Sequence, residues 1–209
     1  MKAFQTFMIL ICFNLNVLSQ EEKVVTYQDL LKQYQNDTVL KNEAQEISTK
    51  DLETIISETN TECDAFKKKI EKEDYLSDVE KQLIMQFRID TLRIELVEAK
   101  KMKIDYTTSG MSNTINESTK QYDKLLNAYY QRLAIKLKTA DKEFLKQAQR
   151  NWISFRDSEI KLMALLNGNT YSGGGSISTN INSIEIKELT KKRGIDLYLY
   201  LLLVSTSSE

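Results

Sequence analysis

The chain has 209 residues, 29 Lys and Arg against 30 Asp and Glu, and neither histidine nor proline. Its charges are balanced and interspersed, so there is no basic patch for nucleic acid and no bulk attraction to anionic membranes. Without histidine, the Ser-His and Cys-His nucleophile systems and the usual zinc sites are excluded. The lack of proline suits a chain that is helical almost throughout.

The N-terminus reads as an export signal. Met1 and Lys2 give a cationic start, Phe7–Phe13 is apolar, and Ser19-Gln20 precedes the charged Glu21. This layout predicts a secretory signal peptide over residues 1–20, cut near Gln20, and a periplasmic or extracellular mature chain. The apolar run falls short of the roughly 20 residues of a spanning helix, so no membrane span is expected. Cys12 lies inside the run without a lipobox before it. After cleavage only Cys63 remains, which excludes an internal disulfide. It is expected as a half-buried free thiol in a helix, the other reading being a bond to another chain.

Residues 26–73 show short helical stretches, about 27–35, 39–56 and 62–73, broken by Asn- and Thr-rich turns. Ser77 and Glu80 then form a capping box that starts a helix reaching about Met102. Val79, Leu83, Phe87, Ile94 and Val97 share its apolar side. Residues 105–116 read as a turn-rich boundary. It separates an N-terminal helical region, 21–106, from a helical domain, 107–204.

In that domain Tyr122, Leu126, Tyr129, Leu133, Leu137, Phe144, Ala148, Trp152, Phe155, Leu162 and Leu166 recur at steps of three and four. The spacing predicts one apolar stripe on a helix starting near Thr114 or Ser118, or on two helices joined near Thr139–Asp141. Residues 167–182 form a Gly- and Ser-rich loop, in which Ser176–Ile181 alternates briefly like an extended piece. The last helix, about 183–204, should lay Leu197, Tyr198, Leu201 and Leu202 over the stripe around Trp152. The fold class is therefore all-α, a bundle of long amphipathic helices with a glycine loop before the C-terminal one.

Two places could carry function. Trp152, Arg156 and Glu159 share one helix side, with Arg150 and Asp157 beside them. Arg156 either locks two helices through an ion pair with Asp123 or Glu188, or is presented to an acidic partner. The first reading is favoured because Trp152 and Phe155 fall on the core stripe. The second place is the loop Tyr171–Ser176. Gly173, Gly174 and Gly175 permit positive φ and close backbone approach, and Tyr171 is a candidate anchor for a protein partner. No Lys-Ser/Thr follows the glycines, so this is not a P-loop. The carboxylates form no isolated pair in an apolar setting, so an enzyme has no residue set to stand on. No cofactor or metal is expected.

Met111, Tyr122–Asn127 with Asp123 and Asn127, Tyr130, Leu145–Glu159, Gly173-Gly174, Leu189-Thr190 and Arg193 occur in the order of a known pattern. Over about Thr107–Leu201 the chain resembles the LprI-like lysozyme-inhibitor family of secreted bacterial proteins. The resemblance implies a small all-helical envelope domain whose founding activity is lysozyme inhibition. Many members carry cysteines where this chain has Thr114, Ile160 and about Ile184. Apolar packing of Ile160 and Ile184 is expected to replace that stapling and to set the last helix against the Trp152 helix. The expected function is a non-enzymatic binding protein that occludes a lysozyme cleft with the Tyr171–Ser176 loop, Arg150 or Arg193 nearby. The alternative is a non-inhibitory envelope module whose N-terminal helices bind a protein partner.

Overall fold

A computed structural model describes residues 46–72 and 76–206, which form six helices and no strand. They belong to one compact unit, Ala44–Glu209. The expected leader over 1–20 and the helix at 27–35 lie outside the described residues.

Helix α1, Thr49–Ile70, is capped by a reciprocal box between Ser48 and Asp51, which holds the Asp51 carboxyl below its usual range. It is one helix where the sequence suggested two. The turn formers are absorbed into it: Thr54 and Thr61 each donate to the carbonyl four residues back, and Thr59 is buried. Cys63 is only 1% exposed, more buried than expected, and burial raises its thiol pKa.

Helix α2, Asp78–Ile104, starts at the Ser77–Glu80 capping box read from the sequence. Helix α3, Thr108–Lys136, begins inside the segment expected as a boundary. Thr107 caps it by accepting from the Gly110 amide at 3.0 Å, while Asp105 accepts from the Thr107 amide and hydroxyl. A Cβ on Gly110 would overlap the Asp105 carboxylate, so the turn-like glycine is what lets this cap close. Helix α4 is Lys142–Leu166, and α5 is the single turn Asn169–Ser172. Helix α6, Ser176–Thr206, starts earlier than expected. The alternating piece at 176–181 is therefore helix, with Ser178 and Asn180 buried.

Four contacts fix how α3 and α6 meet. Ser112 bonds Asn180, Lys191 lies over the Tyr122 ring, Gly194 meets Leu126, and Tyr129 meets Tyr198. The partners advance together along both helices, so the two run parallel. Helix α2 runs antiparallel to both, because Glu98 bonds Lys187, Glu95 bonds Lys191, and Phe87 reaches Tyr198. Helix α4 is the return stroke that a parallel pair requires. Helix α1 packs on α2, where Lys100 bridges Glu58 and Glu62 at 2.7 and 2.9 Å.

The core is the α2–α3–α6 seam. Phe87 stacks on Tyr198 at 3.9 Å between centroids, and Tyr129 meets both rings edge-on at 5.3 and 5.9 Å. Tyr198 thus covers the α3 stripe, not the Trp152 region assigned to it from sequence. The stripe also does not continue into α4 as expected. Phe144 is 78% exposed, Phe155 51%, and Leu162 and Leu166 are exposed as well; only Leu145 of this helix is buried. The break at Leu137–Asp141 resets the helical phase, so α4 turns a different side to the body. No helix among the described residues is long and apolar enough to cross a membrane.

Candidate functional site

Helix α4 lies antiparallel along α6. Gln149 meets Arg193 near one end, and Asn167 donates to Asn182 at 2.7 Å near the other. The side it turns inward is built from Gln149, Trp152, Arg156, Glu159, Ile160 and Met163, all half-buried.

Trp152 stands between two arginines. The Arg156 guanidinium is 5.2 Å from its ring centroid and that of Arg193 is 6.0 Å away. Each such contact is worth about 0.5–1 kcal/mol when exposed and more when desolvated. Arg193 is 7% exposed; its Nε donates to Gln149 Oε1 at 3.0 Å. Its Nη2 has no hydrogen-bond partner among the described residues. Arg156 donates through Nε and Nη2 to Asp157 Oδ1, at 3.0 and 2.7 Å. This neighbour takes the place of the two carboxylates expected from sequence. Asp123 instead accepts from Asn127, at 2.8 Å on its carbonyl and 3.1 Å on its carboxylate. Glu188 lies 3.7 Å from Lys187. Arg156 and Asp123 still face one groove of about 520 Å3, floored by Ile160, Ile186 and Thr190. Ile160 and Ile186 line this groove together, and α4 lies against the last helix through Gln149–Arg193 and Asn167–Asn182.

The loop is a separate feature. Gly173, Gly174 and Gly175 have φ of 78°, 66° and 107°, conformations that L side chains resist. A Cβ on Gly174 would also overlap the Asn169 carboxamide. Tyr171 projects from α5 and is 66% exposed. Arg150 is exposed too, but 16 residues before the end of α4, about 24 Å along the helix at 1.5 Å per residue. Arg193 is a similar distance along α6. The loop and the two arginines are therefore not one site.

Sequence reasoning missed a charged seam. Lys187 pairs with Glu98 at 2.6 Å with both side chains largely buried, and Lys191 pairs with Glu95 at 2.7 Å. Tyr122 donates to the same Glu95 at 3.2 Å. Burial, then the Glu95 charge, pushes the Tyr122 hydroxyl far above its usual range. For Lys191 burial acts downward, but Glu95, Glu188 and Glu98 together raise its pKa. The helical spacing of Glu95 with Glu98 and of Lys187 with Lys191 was visible. Their pairing needed the topology.

These features define an all-helical domain whose motif residues knit α4 to α6 and whose glycine loop stands clear of the core. Residues 99–197, in the C-terminal half of the chain, match the family model described as Lysozyme inhibitor LprI. No curated protein and no solved structure matches the chain.

Proposed function

We propose that this chain is an exported, non-enzymatic protein that binds and inhibits a lysozyme. The observation that carries the reading is the LprI match over 99–197. The geometry supports contact through the loop. Tyr171 is exposed, and three successive glycines with positive φ let the loop take a path that other residues would resist. Lysozyme works with two carboxylates in a cleft, and a narrow loop carrying one aromatic ring has a shape that can enter it. Arg150 and Arg193 act apart from the loop, Arg150 at the rim of α4 and Arg193 as a buried brace against Trp152. Export rests on the leader pattern of residues 1–20, and a secreted form beginning near Glu21 is the expected product. The test is lysis of a peptidoglycan suspension by chicken-, goose- and invertebrate-type lysozymes with added protein. At least one should slow at micromolar inhibitor; no slowing of any of the three contradicts the proposal.

A further inference from the structure

Helix α4 leaves an apolar stripe in solvent. From Phe144 to Leu165, steps of four and three pick out Ala148, Asn151, Phe155, Ser158 and Leu162, and every one of these positions is exposed. That is the seam spacing of a paired helix. Phe144, Phe155, Leu162, Leu165 and Leu166 are 78%, 51%, 46%, 55% and 47% exposed. Taking roughly 150–250 Å2 for a whole aromatic, they leave on the order of 500 Å2 of apolar surface. This is near the upper end of what a single subunit exposes, roughly 300–600 Å2. Two copies meeting there would bury about 1,000 Å2 from these side chains alone, the size at which specific interfaces begin.

We infer that this face joins a second copy of the chain, α4 against α4, antiparallel about a two-fold axis near Ile153. The seam is self-complementary in that direction. Phe144 meets the partner's Leu162, small Ala148 meets the partner's Ser158, and Phe155 meets the partner's Asn151. On the flank Glu143 comes within about one turn of the partner's Lys161, and both are exposed. The antiparallel contact is isologous, so it closes at two subunits.

The test is light scattering on the purified full chain in reductant at micromolar concentration. The expected mass is twice the 24.2 kDa of one chain. Phe155→Glu should raise the dissociation constant at least tenfold with unchanged helix content, since the ring is half in solvent already. In a Cys12→Ser background, Ser154→Cys should be joined to its own copy by a thiol-reactive cross-linker that spans about 8–10 Å, the spacing of packed helix axes, because residue 154 flanks the seam near the two-fold axis. Ala148→Cys should not, because its copies stand far apart. A monomer at all concentrations, a dimer that survives Phe155→Glu, or cross-linking at residue 148 but not 154 would each overturn the inference.

Discussion

Phe87 sits where the three core helices meet, so Phe87→Ala tests the architecture at its centre. The ring is 6% exposed, stacks on Tyr198 at 3.9 Å and meets Tyr129 edge-on at 5.3 Å. Truncating a buried Phe to Ala costs about 3–5 kcal/mol, as lost transfer energy plus the cavity left behind. Two aromatic contacts, each worth about 0.5–1.5 kcal/mol beyond burial, push this site toward the upper end. A domain of this size holds roughly 5–15 kcal/mol in all, so the variant should remain folded but lose a large share of its stability. At about 2–4 °C per kcal/mol the melting temperature should fall by about 10 °C or more. Urea unfolding followed by circular dichroism gives the free energy directly. The control is Phe155→Ala, half exposed on α4, which should change folding stability by no more than about 0.5 kcal/mol at concentrations where the chain is monomeric. A loss under about 1.5 kcal/mol at Phe87, or an early separate transition for α2, would refute the view that α2 completes the core of the C-terminal helices.

Alkaline pH should unfold the protein steeply. Burial raises the hydroxyls of Tyr122, Tyr129 and Tyr198, with Glu95 adding to the shift at Tyr122 and Asp90 at Tyr129. Unfolded tyrosines ionise near pH 10 while these remain protonated, so the native state holds more protons and stability falls as pH rises above about 10. Each contributes up to about 1.4 kcal/mol per pH unit, and tyrosinate absorbance from these three of the ten tyrosines should appear only with unfolding. At Gly194 a Cβ would meet Leu126 at 3.9 Å, an ordinary contact. Gly194→Ala should therefore stabilise α6 by about 0.5–1 kcal/mol, whereas Gly194→Leu should destabilise by about 1–3 kcal/mol in thermal melts. Gly173→Ala, with φ of 78° and open space around it, should cost about 1–2 kcal/mol through backbone strain alone. Lys187→Ala strands Glu98, and thermal denaturation should show a loss of about 2 kcal/mol, between the values for exposed and buried pairs.

Local chemistry was legible where it acted alone. The Ser77–Glu80 box named the start of α2 to the residue. The period through Tyr122, Leu126, Tyr129 and Leu133 marked a buried stripe, and all four are buried. Where chemistry depends on a partner, the sequence was ambiguous. Asp105, Thr107 and Gly110 look like a turn, yet together they close a helix cap. The run Phe144, Phe155, Leu162 has the same spacing as the stripe before it, and periodicity says only that a face exists, not what covers it. Arg156 was expected to reach Asp123 or Glu188 on another helix, and its sequence neighbour Asp157 won because it needs no second helix. The charged seam of Glu95, Glu98, Lys187 and Lys191 depends on α2 and α6 running antiparallel side by side, which no local pattern encodes. The three glycines at 173–175 did announce positive φ, because no other residue occupies such backbone cheaply.

The measurement closest to the central claim compares lysozyme inhibition by the wild-type chain and by Tyr171→Ala. Tyr171 is exposed and contributes nothing to the core, so the variant should keep the helix content and melting temperature of the wild type. If the loop is the contact, wild type should inhibit and Tyr171→Ala should be at least about tenfold weaker, a loss of about 1.4 kcal/mol or more of binding. Equal inhibition by both chains would contradict a loop-centred contact, and inhibition by neither would contradict the lysozyme reading itself.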